Sequence, residues 1–169
     1  MDDEKKKIQI EVKIKYKGSG NSKERRETIK NSIEKTYTGK VEGGEYDGYD
    51  ATTIVTEVTE SGADVNEVEI VEGYGRSSVA GNQFMTLFTE NPKSTFHRTG
   101  GHEGGHLLGL EDRYHSEFVK KPWSPSGGQY EGVSDRDYEG NIMGAEGYGV
   151  KGSQYQRVIE ADSNLVTRK

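Results

Sequence analysis

The 169-residue chain contains no cysteine, which excludes both disulfide bonds and thiolate metal ligands. Apolar residues are scarce, at 30% against 31% charged, so any core must be thin. No apolar run reaches the roughly 18 residues that a bilayer-spanning helix needs. The opening MDDEKKK lacks the apolar stretch of a secretory signal. Positive charge is also in deficit: the formal net charge is -6 and the pI near 5.3, which argues against a nucleic-acid binder. The lysines that cluster early (Lys5, Lys6, Lys7, Lys13, Lys15, Lys17) have the spacing of a solvated strand face. What remains is a chain of single-domain length, rich in glycine (23) and tyrosine (10). Tyrosine partly offsets the thin core, because it buries a large ring and keeps a polar tip. Metal binding to the native state would add further stability.

Residues 8 to 16 alternate strictly, with Ile8, Ile10, Val12, Ile14 and Tyr16 on one face and Gln9, Glu11, Lys13 and Lys15 on the other. That period predicts a half-buried strand. A Gly18–Asn21 turn then leads to Ser22, an N-cap for a helix carrying Ile29, Ile33 and Tyr37, with Gly39 placed to stop it. After an acidic, glycine-rich loop (42–50), strands are expected at 52–58 and 65–71, and an edge strand at 84–88. A helix is expected over 95–110 despite its five glycines. Residues 121–140, rich in Gly, Pro, Ser and Asp, read as irregular, and 153–162 as a closing helix. No repeat or linker divides the chain. The expectation is one α/β domain over 1–169, a twisted mixed sheet with a helix behind it and a second helix below. Its amino-terminal subdomain would cover about 1–110 and its carboxy-terminal subdomain about 111–169.

All four histidines (His97, His102, His106, His115) fall in one short window, whose centre is His102-Glu103-Gly104-Gly105-His106, or H-E-x-x-H. Residues four apart on a helix share a face, so the two imidazoles can converge on one ion at about 2.0–2.1 Å from zinc. Glu103, beside the first ligand, is placed to act as general base on a water at the metal. A catalytic zinc wants three protein ligands and one open position. Asp112, six residues past His106, is the third candidate. A straight helix would carry it away, but Gly109 can end the helix in a left-handed conformation and turn the chain back. His115 is the alternative third ligand. His97, five residues before His102, cannot share the face and reads as a cleft-wall or solvent-facing residue.

The run HEGGHLLGLEDRY resembles the H-E-x-G-H-x-x-G-x-x-(H/D) signature of the metzincin zinc endopeptidases, and its aspartate form is most similar to the snapalysin-type members. The same family carries a methionine-containing turn beneath the metal, for which Asn141-Ile142-Met143-Gly144 is the candidate. The resemblance implies one catalytic zinc on His102, His106 and Asp112, with Glu103 as the base. It implies a protein or peptide substrate extended along an edge strand across a cleft. A tyrosine steadying the oxyanion would be Tyr114 by the snapalysin pattern, with Tyr148 as the rival. The segment between Asp112 and Met143 would wall the specificity pocket, with Trp123 and Tyr130 as candidate lining. A cysteine-free catalytic domain without a signal also resembles the metallopeptidase domains of bacterial polymorphic toxins, so a monomer secreted or delivered outside the producing cell is expected.

Two readings compete. One is a non-catalytic module of a larger secreted protein, stabilised by zinc or calcium. The other is suggested by Asp135–Glu146, which matches an EF-hand calcium loop in its acids, its glycine at position 6 and its isoleucine at position 8. The flanks PWSPSGGQYEG and GYGVKG cannot form the two helices of that frame, so only a structural calcium on the loop is left open.

Overall fold

A computed structural model describes residues 6–81, 83–90, 95–120, 123, 128–144, 147–150, 152–160 and 167–168, with the backbone alone for 129, 130, 140, 147–149, 160, 167 and 168. The elements follow the order β1 (Lys7–Lys17), α1 (Lys23–Thr36), β2 (Gly39–Lys40), β3 (Asp50–Glu57), β4 (Asn66–Tyr74), β5 (Ser78–Ala80), β6 (Phe84–Glu90) and α2 (Phe96–Leu107). Then come β7 (Tyr114–Lys120), β8 (Gly128–Ser134), β9 (Gly140–Asn141), β10 (Gly147–Gly149), α3 (Gly152–Glu160) and β11 (Thr167–Arg168). The fold is α/β. Its main sheet runs β2-β3-β1-β4-β6-β5, with β11 also paired to β1. β3, β1, β4 and β6 are mutually parallel, while β2, β5 and β11 run antiparallel to their neighbours.

The alternation in β1 does what its period demands. Ile8, Ile10, Val12 and Ile14 are buried, in one core with Ile29 and Ile33 of α1 and Leu107 of α2. The opposite side is polar: Lys13 pairs with Asp64, Lys15 bonds Ser61 at 3.0 Å, and Lys17 meets Glu67 at 2.8 Å. Lys5 lies outside the described residues. The Ser22 side chain caps α1 by accepting from the Arg25 N–H.

Three expectations need correction. Gly39 does not stop α1; the helix ends at Tyr37, whose ring is fully buried and whose carbonyl accepts from the Thr53 hydroxyl at 2.6 Å. Gly39 instead belongs to β2, paired with Ala51. The strand before α2 is not an edge strand either, because β5 folds back antiparallel on β6 and takes that position. Segment 121–140 is not irregular throughout: β8 pairs with β7 from Tyr114↔Ser134 to Lys120↔Gly128. Most side chains of β7 are exposed, so this ribbon is held by backbone bonds and leaves no apolar period to read. The closing helix is α3; residues 161 and 162 lie outside the described residues. Strands, not helices, flank Asp135–Glu146, in keeping with rejection of the EF-hand frame. Ala145 and Glu146 themselves lie outside the described residues.

The glycines of α2 weaken the helix but let it pack closely. A Cβ on Gly104 would sit 2.6 Å from Ile33 Cγ1, and one on Gly105 would sit 2.5 Å from Met143 Sδ. Gly100 is different, since its nearest neighbours would be at an ordinary 3.6 Å. We therefore expect Gly104→Ala to destabilise the protein by about 1–3 kcal/mol through overpacking. Gly100→Ala should be neutral, or stabilising by up to about 1 kcal/mol, because only the helix propensity changes. Urea unfolding of the two variants checks the contrast, and equal effects would contradict it.

Candidate metal centre

α2 begins at Thr95, whose side chain accepts from the Arg98 N–H, and carries His102, Glu103 and His106. Its end is built by Gly109, which adopts φ +83°. The Gly109 N–H reaches the His106 carbonyl at 3.0 Å and the Leu110 N–H the Gly105 carbonyl at 2.9 Å, the paired bonds of a Schellman motif. This turn redirects the chain, as the spacing of Gly109 and Asp112 predicts. It also aims the Leu110 carbonyl back at His106.

Each imidazole is fixed by a main-chain carbonyl. His102 Nδ1 lies 2.8 Å from the Ile142 oxygen, and His106 Nδ1 lies 2.8 Å from the Leu110 oxygen. A carbonyl only accepts, so both Nδ1 atoms carry protons and the Nε2 atoms face inward. They meet Asp112 Oδ1, at 3.1 Å from His102 and 3.3 Å from His106. The three ligand atoms all lie within 4.8 Å of one another. Neutral rings in this tautomer put two nitrogen lone pairs and a carboxylate oxygen face to face. Such a cluster needs a cation or extra protons at its centre. Ligand atoms about 2.0–2.1 Å from a tetrahedral zinc stand roughly 3.3–3.4 Å apart, so the two N–O edges fit an ion. The His side chains are 12% and 20% exposed and Asp112 is 41% exposed, which leaves the group open on one side.

The electrostatics follow from this crowding. Burial alone would raise the Asp112 carboxyl; with extra protons on the Nε2 atoms and no ion between them, hydrogen bonds from His102 and His106, and their charges, hold it well below the usual carboxylate range. Burial would lower His106; the bonds to Asp112 and the Leu110 carbonyl, with the Asp112 and Glu103 charges, instead push it up. Glu103 is buried, and burial raises its carboxyl, with the Asp112 charge adding to the rise. His102, His106 and Arg76 oppose that shift, so Glu103 lies within electrostatic reach of the whole cluster. Tyr114, at the start of β7, has its ring 6.3 Å from that of His102. Burial and the Asp112 charge raise its hydroxyl, which therefore stays protonated as a donor at neutral pH.

The Asn141–Gly144 segment is a tight turn under the helix, with the Gly144 N–H on the Asn141 carbonyl at 3.0 Å. Met143 is fully buried, its sulfur 3.9 Å from the Tyr37 hydroxyl, which also donates to the Gly101 carbonyl. The Met143 carbonyl accepts from Arg113, next to Asp112, at 2.8 Å. The turn thus touches both sides of the cluster.

Among the described residues, the other two histidines do not join it. His115 is exposed and bonded to Glu117 and Asp135, not to the other imidazoles. His97 is half-buried in the first turn of α2. Trp123 is 80% exposed. The side chains of Tyr130 and Tyr148 lie outside the described residues. Sequence reasoning missed Arg76, whose charge acts on both Glu103 and Tyr114 from the β4–β5 connection. It also missed the carbonyls of Leu110 and Ile142, which no side-chain pattern announces.

No protein-family model matches the sequence, and no curated protein is detectably similar to it. Among solved structures, that of myroilysin overlays 85% of this chain and 70% of its own length, with a TM-score of 0.39 and 16% identity. So low an overlap assigns neither fold nor function.

Gly109→Ala forces a side chain into the left-handed region at the turn that serves both His106 and Asp112. We expect it to lower stability by about 1–2 kcal/mol and to weaken the affinity of this cluster for a divalent metal by roughly tenfold or more. Unfolding curves and chelator competition measure the two effects; unchanged metal affinity would contradict the double duty of this turn.

Proposed function

We propose that the chain is a single metzincin-type catalytic domain, a zinc-dependent endopeptidase with His102, His106 and Asp112 as ligands. The observation that carries this reading is the convergence of three electron-rich atoms beside the buried carboxyl of Glu103. The donor set of two imidazoles and one carboxylate suits zinc and leaves a fourth position for water or substrate. When bound, the ion supplies Lewis acidity to the oxygen atoms of water and of the scissile carbonyl.

The chain's own residues supply the rest. Glu103 is the general base: burial raises its proton affinity, so it can take a proton from the attacking water and return it to the leaving amine. Its confinement next to His102 keeps it near the reaction without making it a ligand. Tyr114, protonated and close to His102, donates a hydrogen bond to the oxygen that gains charge in the tetrahedral intermediate. β5, the outermost strand beyond β6, offers backbone groups to an extended polypeptide. That supports a protein or peptide substrate, with the scissile bond carried past α2.

Glu103→Gln tests the assignment, because it keeps the shape and removes the base. We expect zinc content to be unchanged and casein cleavage to fall by about 10²–10⁴-fold. Full activity in this variant would exclude the mechanism, and a wild-type protein that takes up no zinc would exclude the metal reading.

A further inference from the structure

The orientation of His102 depends on the Ile142 carbonyl, so whatever fixes that carbonyl fixes the ligand. Beneath the turn lies a closed amide pair. Asn141 Nδ2 donates to Gln154 Oε1 at 2.7 Å, and Gln154 Nε2 donates back to Asn141 Oδ1 at 3.0 Å. The same Asn141 oxygen accepts from the Met143 N–H at 2.9 Å. Asn141 and Gln154 are 2% and 4% exposed, so water does not compete for these bonds. An unpaired amide there would be strongly disfavoured. Gln154 stands on α3, which the apolar residues Tyr155, Val158 and Ile159 anchor in the core. The chain of contacts is continuous: α3, Gln154, Asn141, the turn, the Ile142 carbonyl, His102.

We infer that Gln154 and Asn141 are positioning residues that hold the Ile142 carbonyl against His102 and so preset one metal ligand from the carboxy-terminal helix. His106 gives an internal control. Its own carbonyl partner, Leu110, is set by the Schellman turn of α2 and owes nothing to the amide pair. A lesion at Gln154 acting through the turn must therefore separate the two histidines, whereas general loosening would not. The inference rests on the proposed zinc site for its consequence but not for its geometry.

The test is Gln154→Met, which keeps the length of the side chain and removes both amide bonds. In the zinc-loaded wild type, nuclear magnetic resonance should detect the Nδ1–H protons of both His102 and His106, protected by their carbonyls. In the variant, the His102 proton should exchange rapidly with water while the His106 proton stays protected. Zinc affinity, from chelator competition, should fall by roughly 10–100-fold, as for other outer partners of metal ligands. Retained protection at His102, or equal loss at both histidines, would overturn the inference. If Gln154→Met does not fold, Gln154→Glu keeps the acceptor for Asn141 Nδ2 and carries the same comparison. A wild type that takes no zinc would defeat the zinc reading, and the two-histidine comparison on the metal-free chain would still decide the positioning role.

Discussion

Three electron-rich atoms brought within a few ångströms of each other repel unless something positive lies between them. In this protein the Nε2 atoms of His102 and His106 and a carboxylate oxygen of Asp112 are held in that arrangement. The rings cannot turn away, because each Nδ1–H is committed to a main-chain carbonyl. The surrounding structure spends its scarce apolar residues on keeping this cluster in place. Its supports come from three directions, which is why so polar a chain can hold it rigidly.

From above, α2 is pressed onto α1 and onto Met143 by glycines that admit Ile33 and Met143 where side chains would collide. From the end of the helix, Gly109 turns the chain so that the Leu110 carbonyl meets His106 and Asp112 comes back to the two imidazoles. From below, the Asn141–Gly144 turn gives successive carbonyls to His102 and to the Arg113 N–H. A salt bridge of 2.9 Å between Arg157 and Glu111 further ties α3 to the segment that carries Asp112, though its exposure makes it a minor contributor. Helix end, turn and closing helix thus act on one small volume.

Much of this was legible because it depends on periodicity or on side chains with few uses. The alternation of Ile8 to Tyr16 announces β1, Ser22 announces the start of α1, and the spacing of His102 and His106 announces a shared helix face. Gly109 and Asp112 were readable together, since a side chain six residues on can return to His106 only if the helix stops. Other features left no trace for physical reasons. The β7–β8 ribbon has no buried face on β7, so it carries no apolar period. β5 is three residues long, too short for any pattern, yet it displaces β6 from the edge of the sheet. The carbonyls of Leu110 and Ile142 could belong to any residue type. Gln154 is an ordinary glutamine until the fold sets it against Asn141, whose preference for tight turns was the one hint available.

Anomalous diffraction from crystals of the zinc-loaded protein, recorded across the zinc absorption edge, addresses the central claim most directly. A single strong peak is expected within bonding distance of Nε2 of both His102 and His106 and of a carboxylate oxygen of Asp112, with no fourth protein ligand. A peak on other residues, a closed shell of four protein atoms, or no bound zinc would contradict the account.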